Sequence, residues 1–420
     1  MRKLKSAVVV GLACATLAAV AVSAGPAGAQ STGSTRGPKE IYIIGSYETK
    51  GESSQAIPNF DDGAKLAVTD LQKKGYTVNY ERIPASGTIA ASQEQAFLAA
   101  QAKNPDAWIG LTSSNVFIPV GPKVAATDVP SFALAAPSEG VKSGPSGGDN
   151  IFLVRPLNEQ TYSKILQYIC TDLKKQMKVK DQKIALNTVQ TSFGTTVASV
   201  VNREIGKYKG CSVVGYPITN SAVATDLTQQ ALAIKNSGAT VVMSANFPNP
   251  SGVLVNQLQQ NGVTIPFVGG ASLNLAVDAG SIQNLTNLVA TDDCVPELIK
   301  TAAAKRFTKE YVSTYGYPPN YASAQVYDMF NVMANTVQSV GHDYAKINKK
   351  LAGTRYDGVC SYTNDKNNVM AQSVTLYKYK SPTDKTKVLV KNYPLDFVPN
   401  DELGTATTLA AATPTTTVAK

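Results

Sequence analysis

The sequence has few of the residues on which catalysis most often depends. It contains one histidine, His342, so mechanisms that need two imidazoles, as most catalytic zinc sites do, are excluded. No CxxC pair is present, and neither GxGxxG after a first strand nor GxxxxGKS occurs. His342 follows a predicted helix end, where we expect a surface residue rather than a general base. We therefore predict no enzyme, no metal site and no cofactor.

Charged residues are also scarce. They make up 16% of the 420 residues, against roughly 25% in an ordinary globular protein, whereas apolar residues make up 43%. This composition excludes a disordered chain, and the length is typical of two or more domains. The net charge of +9 would indicate a polyanionic partner only if the basic residues were clustered, and beyond the N-terminus they occur as scattered pairs. We expect no nucleic-acid partner.

The N-terminus accounts for part of this charge. Arg2, Lys3 and Lys5 precede an apolar stretch at 7–22, and small residues follow at 27–29, which is typical of a cleaved signal peptide. Without residues 1–29, which carry +3 and no acid, the net charge of +9 falls to +6. Cys14 could suggest a lipoprotein, but Gly11 suits a lipidation motif poorly. No later apolar run reaches the roughly 18 residues that span a bilayer. We predict an exported protein of the periplasm or cell envelope.

Four cysteines remain in the mature chain: Cys170, Cys211, Cys294 and Cys360. An even number in an oxidising compartment favours two disulfides. Their wide spacing argues against zinc binding or redox catalysis. Three connectivities are possible, and the spacing alone does not choose between them.

Short β-branched runs alternate with helical patterns along most of the mature chain. The predicted strands are 41–45, 77–81, 107–111, 131–135, 183–187, 212–216, 240–245 and 265–269. Several are apolar at successive positions, which is typical of strands covered on both faces. Repeated strand–helix–strand units predict an α/β fold with doubly wound parallel sheets. A Gly/Ser/Pro-rich loop at 140–150 interrupts the pattern, and the Thr/Ala-rich end of the chain predicts a disordered tail.

In open parallel sheets, ligands bind beyond the carboxyl ends of the strands, where loops lead into helix N-termini. The predicted loops offer hydroxyls in the first half and aromatic rings in the second, a combination that suits a small molecule with a polar head and an apolar body. A serine after a strand can instead be a helix N-cap, and a single phenylalanine can simply pack its loop. The candidate binding residues in these loops are Ser113, Ser114, Ala136, Pro137, Ser138, Phe193, Phe247 and Ala271.

The order of several motifs resembles a known family. The segments that carry the resemblance are 62–68, 108–110 with Ser113 and Ser114, 129–130 leading to 136–138, 151–155, 192–194, 307–316, 324–328 and 356–359. Over residues 39–400 the chain resembles the type I periplasmic solute-binding proteins of the branched-chain amino-acid receptor (leucine/isoleucine/valine-binding) group, which serve ABC importers.

The resemblance implies two discontinuous lobes joined by a hinge of three crossovers. Lobe I would contain 39–155 and 295–355, and lobe II 156–294 and 356–400, after a signal peptide at 1–29 and a flexible leader at 30–38 and before a disordered tail at 401–420. The implied disulfides are Cys170–Cys211 and Cys294–Cys360, because the second pair would lie at neighbouring crossovers.

The resemblance also implies a ligand site. Hydroxyls and backbone N–H groups of lobe I would hold a ligand carboxylate, and Phe193, Phe247 and Tyr327 would close over it. Amino-acid receptors of this group place an acidic residue where this sequence has Ala271. Either another acid, Glu48, Glu139 or Asp328, supplies the charge, or the ligand lacks an α-ammonium group. We expect a monomeric receptor for an amino acid or a related carboxylate or amide, with an ABC permease as partner. The alternative is a sensory module of the same fold.

Overall fold

The computed structural model describes residues 36–50, 57–86, 89–134, 148–215, 218–365, 368–371, 373–395 and 408–410. The predicted signal peptide with Cys14, the leader up to residue 35, and candidate residues Ala136, Pro137 and Ser138 lie outside the described residues. No helix within the described ranges is long and apolar enough to cross a membrane.

The described part of the chain contains eighteen strands, with helices between many of them. In chain order they are β1 (Glu40–Gly45), β2 (Glu48–Lys50), β3 (Thr77–Arg82), β4 (Ala85–Ser86), β5 (Ala107–Gly110), β6 (Ser131–Ala133), β7 (Ile151–Leu153), β8 (Gln182–Val189), β9 (Cys211–Val213), β10 (Ile218–Asn220), β11 (Val241–Ala245), β12 (Phe267–Gly269), β13 (Leu288–Asp292), β14 (Arg355–Asp357), β15 (Ser361–Thr363), β16 (Ser373–Tyr379), β17 (Lys387–Pro394) and β18 (Thr408–Ala410).

Helices lie between many of the strands. They are α1 (Ile57–Lys73), α2 (Ala90–Gln101), α3 (Ser114–Ala125), α4 (Asn158–Tyr168), α5 (Ser192–Glu204), α6 (Thr228–Asn236), α7 (Pro248–Gln260), α8 (Ala271–Asp278), α9 (Ala302–Tyr315), α10 (Tyr321–Val340) and α11 (Tyr344–Ala352). A π-helical turn, Ile169–Leu173, continues α4 into a last helical turn, Lys174–Met177.

The first sheet has the strand order β3-β1-β5-β6-β7, and all its pairings are parallel. Successive residues of its strands enter different hydrophobic cores: Ile43 packs with α1 and α10, whereas Ile44 packs with α2 and α3. Both faces are therefore covered, as the continuous apolar runs predict. Helices α1 and α10 approach closely at Gly63, where a Cβ atom would collide with the backbone of Ser323.

The second sheet has the order β10-β8-β11-β12-β13-β16-β17, and β9 also pairs with β8. It is parallel from β10 to β13, with its two faces in separate cores, so that Leu186 and Ala185 point in opposite directions. Strands β16 and β17 extend it as an antiparallel hairpin. The strand–helix pattern of the sequence did not predict this hairpin, because no helix intervenes.

The segment around β14 and β15 packs with the first sheet. Tyr356, Tyr362 and Met370 belong to the same hydrophobic core as Ile43, and Leu153 of β7 bridges to Val369. The sequence-based boundary at 355 instead assigned this segment to lobe II. From these contacts we propose that lobe I contains 36–155 with 295–371, and lobe II contains 156–294 with 373–395. In the tail that was expected to be disordered, β18 pairs with β14.

Two disulfides link distant parts of the chain. Cys170 in the π-helical turn is bonded to Cys211 of β9, with Cα atoms 5.7 Å apart. Cys294, which follows β13, is bonded to Cys360 between β14 and β15, with Cα atoms 5.8 Å apart. These are the two pairs that the family resemblance implies. The first lies within one sheet and its helices, whereas the second ties a crossover to the β14–β15 hairpin.

Candidate functional site

The carboxyl ends of the parallel strands in both sheets meet at one cleft. It encloses roughly 790 Å³, including its open mouth. The described residues that line it are Phe60, Thr112, Ser113, Ser114, Asn115, Leu134, Arg155, Asn158, Thr161, Tyr162, Phe193, Phe247, Gly270, Ala271, Ser272, Leu275 and Tyr321.

One wall of the cleft is the loop from β5 into α3. The chain turns sharply after Gly110, because Leu111 adopts the left-handed conformation with φ of 52°. Ser113 then occupies the N-cap position in an extended conformation, and its side chain makes no capping hydrogen bond. Helix α3 begins at Ser114, so backbone N–H groups and two serine hydroxyls lie together at the positive end of a helix dipole. This arrangement suits an anionic group.

The opposite wall is a cluster of three aromatic rings. Phe193 lies in the first turn of α5; its ring centroid is 5.7 Å from that of Tyr162 and 5.9 Å from that of Phe247. The first pair packs edge to face and the second is tilted, the geometries that aromatic rings prefer. The turn that presents Phe193 needs glycine next to it, because a Cβ atom on Gly194 would collide with the carbonyl oxygen of Val189. Burial raises the pKa of Tyr162, so its hydroxyl stays protonated near neutral pH.

Behind these rings lies a buried network of three asparagines at the ends of β8, β10 and β11. Asn187 donates to Asn220 Oδ1 at 3.0 Å, Asn220 donates to Asn246 Oδ1 at 3.1 Å, and Asn246 donates to Asn187 Oδ1 at 3.0 Å. The backbone N–H of Phe247 donates to Asn246 Oδ1 at 3.1 Å. The network therefore fixes the loop that carries one aromatic ring of the cleft.

A cationic residue, Arg155, also lines the cleft. Its Nε donates to Asp293 Oδ1 at 2.9 Å and its Nη2 to Asp292 Oδ1 at 3.2 Å, while the ring of Tyr321 lies 4.2 Å from its guanidinium carbon. Burial raises the pKa of Asp292 well above its usual value, although the charge of Arg155 opposes the shift. Sequence reasoning placed Arg155 only within a family segment, yet its position just after β7 follows the same strand-end rule as the other candidates.

Tyr327, which was predicted to close over the ligand, does not line the cleft. The buried hydroxyl of Tyr327 donates to Asp70 Oδ2 at 2.7 Å, and its ring packs on Phe307 at 4.8 Å. Only the first turn of α10 reaches the cleft, and Tyr327 lies six residues, about 9 Å, further along the helix. The structure therefore does not bring Tyr327 to the cleft as predicted, and Tyr321 lines it instead.

Of the three acids considered as ammonium partners, Asp328 is directed away from the cleft. Its carboxylate accepts backbone N–H groups of Val359 at 3.0 Å and Cys360 at 2.8 Å. Glu139 and the side chain of Glu48 lie outside the part of the chain that the structure describes. Within that part, no acidic side chain lines the cleft, and Ala271 stands at the N-terminus of α8.

A hydrogen bond joins the two walls of the cleft. Ser192 Oγ, at the start of α5, donates to Asn115 Oδ1, at the start of α3, at 2.8 Å. Leu275 of α8 also belongs to the core of the first sheet. The two walls are therefore in direct contact at the rim, while the cleft remains open between them.

The fold agrees with the comparisons. Residues 41–386 match the model of the periplasmic binding protein family, and the chain belongs to that family. No curated protein matches the sequence significantly.

Solved structures share the fold at low sequence identity. A leucine-binding protein, LivK, of Thermotoga maritima is 16% identical with a TM-score of 0.69, over 86% of this chain and 99% of its own. LivJ of Streptococcus pneumoniae, in complex with isoleucine, is 19% identical with a TM-score of 0.69, over 84% and 100%. A solute-binding protein of R. palustris in complex with benzoate is 16% identical with a TM-score of 0.72, over 88% and 99%.

Proposed function

We propose that this protein is an exported receptor that captures a small organic carboxylate in its cleft and delivers it to an ABC importer. The observation that carries the proposal is the pairing of two unlike walls. The serine-bearing N-terminus of α3 faces a cluster of three aromatic rings, so that a ligand with an anionic head and an apolar body would be satisfied at both ends.

The cleft composition favours a ligand without an α-ammonium group. A buried ammonium ion without a carboxylate partner would cost several kcal/mol, and the described lining offers no carboxylate to pair with it. The lone charged side chain among those lining residues is cationic Arg155. Among the structural neighbours, the benzoate complex represents such a ligand class, whereas the isoleucine complex represents the amino-acid class.

The proposed contacts follow from the two walls. We assign Ser113 and Ser114 to the carboxylate, Phe193 and Phe247 to the apolar body, and Ala271 to the space that an acid would fill in an amino-acid receptor. Ala136, Pro137 and Ser138 remain proposed members of the lobe I wall on the family resemblance alone.

The proposed mechanism is closure of two lobes about a hinge. A ligand that touches both walls binds the closed form more tightly than the open one, and only this difference in affinity shifts the population towards closure. The closed form would then be the species that the permease recognises. The protein performs no reaction in this scheme, and a sensory role would use the same conformational change.

A thermal-shift screen tests the ligand class. We expect benzoate and 4-methylpentanoate to raise the melting temperature of the mature protein, because a ligand that binds only the folded state adds RT ln(1 + [L]/Kd) to its stability. Phe193→Ala should reduce the shift, and Val312→Ala, at an exposed position of α9, is the control. A strong shift with leucine and none with the two carboxylates would contradict the proposed ligand class.

A further inference from the structure

Arg155 occupies an unusual position among the residues of the cleft. It follows β7, where the chain leaves the first sheet, and it is the one charged side chain in the described lining. Its side chain is 15% exposed, so it is largely shielded from solvent although it borders an open cleft. A cation in this setting acts on a bound ligand through less screening than one on the surface.

The contacts of the guanidinium fix its orientation. Nε and Nη2 are engaged by Asp292 and Asp293, and the ring of Tyr321 covers one face of the group. Gln325 in turn donates to the second oxygen of Asp293. None of the described hydrogen bonds uses Nη1 of Arg155. The guanidinium group therefore keeps N–H donors that are not bonded to Asp292 or Asp293.

The local charge balance allows an anionic ligand nearby. Two carboxylates beside one guanidinium would give the group a net negative charge if both were ionised. Burial raises the pKa of Asp292 well above its usual value, which opposes ionisation of both carboxylates together. This shift reduces the negative charge that the group would otherwise present to a carboxylate in the cleft.

We propose that Arg155 is the residue by which the cleft selects anionic over neutral solutes, with Asp292 and Asp293 as the side chains that hold it in place. This inference rests on the function proposed above and names the residue that distinguishes a charged ligand from a neutral one. The hydroxyls at α3 would position the head group, whereas Arg155 would distinguish a carboxylate from an amide of the same shape.

The arrangement also links the ligand to the hinge. Asp292 ends β13 and Asp293 directly precedes Cys294, on the segment that leaves the second sheet. Arg155 lies at the first crossover. A ligand carboxylate drawn towards Arg155 therefore acts on a group that already joins two of the three crossovers.

The test compares benzoate with its neutral isostere benzamide by calorimetry. Arg155→Gln alone would leave two buried carboxylates without their cationic partner. The variant is therefore the double substitution Arg155→Gln with Asp293→Asn. We expect the wild type to prefer benzoate by at least about tenfold and the double variant to bind both within about threefold, since charge-assisted hydrogen bonds are roughly twice as strong as neutral ones. The control neutralises an ion pair outside the cleft, between buried Lys387 and the more exposed Glu297, by Lys387→Gln with Glu297→Gln, and should keep the preference.

The outcomes are distinguishable. A folded double variant that retains the preference for benzoate would overturn the role of Arg155 and leave the proposed function intact. A wild type that binds neither benzoate nor 4-methylpentanoate would refute the proposed ligand class, and this inference with it. If the double variant does not fold, Arg155→Lys replaces it, because lysine keeps the charge but loses the fork. Benzoate should then lose more affinity than benzamide, and equal losses would count against the proposal.

Discussion

The two disulfides allow a direct test of which parts of the hinge matter for ligand capture. Cys170–Cys211 and Cys294–Cys360 close loops of 41 and 66 residues. The chain-entropy relation assigns each about 4 kcal/mol of folding stability, because the cost depends only on the logarithm of loop length. Replacing either pair by alanine should therefore lower the free energy of unfolding by a similar amount. The difference between the pairs should appear only in binding.

The Cys294–Cys360 bond fixes the place where the second crossover reaches the core of the first sheet. Ordering one backbone residue costs about 1–2 kcal/mol, so freeing this crossover should weaken ligand binding by about tenfold. The Cys170–Cys211 bond joins elements on one side of the hinge, and its removal should leave affinity unchanged while the protein is folded.

The assay combines urea unfolding with calorimetric titration of the tightest carboxylate found in the screen. Both alanine pairs are measured under non-reducing conditions at a temperature where each is folded. Equal weakening of binding by both alanine pairs, or a larger loss of affinity on removal of Cys170–Cys211, would refute the role assigned to the second crossover. A loss of stability that differs by several kcal/mol between the two pairs would show that native contacts, and not loop entropy, dominate.

Two further predictions concern Asp328 and Ser192. Burial raises the pKa of Asp328 to about 8, against hydrogen bonds from Cys360 and Val359 that lower it. Because the folded pKa exceeds the unfolded one, stability is present at low pH and lost as pH rises through about 8. Between pH 5 and 8.5, urea unfolding should show a smaller fall in stability for Asp328→Asn than for the wild type. Ser192→Ala removes the hydrogen bond across the cleft. If that bond contributes about 1 kcal/mol to the closed form, the ligand affinity measured by calorimetry should fall roughly fivefold.

Each of these has a matched control. Asp384→Asn alters an exposed carboxylate of lobe II and should not change the slope of stability with pH in this range, since the pKa of Asp384 is lowered and not raised. Parallel slopes for Asp328→Asn and the wild type would contradict the assignment. Ser199→Ala removes a hydroxyl that bonds only within α5, and an equal loss of affinity in this variant would refute the role of the cross-cleft contact.

The fold could be predicted because several of its strands are apolar at successive positions, which is typical of strands covered on both faces. Successive apolar residues such as Ile43 and Ile44 enter separate cores, and all eight predicted strands correspond to strands of the two sheets, with ends displaced by a few residues. The loops at Ser113, Phe193 and Phe247 meet in one cleft for a related reason, since parallel strands end at the same edge of their sheet.

Other features depend on tertiary contacts that local pattern does not encode. Whether Tyr321 or Tyr327 reaches the cleft depends on where α10 begins relative to the sheet. The apolar pattern of the helix does not distinguish the two positions. Tyr162 gives no local signal, because it becomes a cleft residue only when α4 packs against α5. The sequence does not show which core the tyrosines after β14 enter, and the packing of Tyr356 and Tyr362 is the ground on which we propose lobe I for this segment.

The asparagine network has a consequence for how such a receptor can change its ligand. Each of its three amides is satisfied mainly by the others and by backbone groups, so its stability does not depend on the identity of the ring that Phe247 supplies. Substitutions at 193 and 247 can therefore reshape the apolar wall while the strand ends stay in register. Evolution towards a new solute would be expected to proceed through these ring positions first, and to leave Asn187, Asn220 and Asn246 in place among descendants with different ligands.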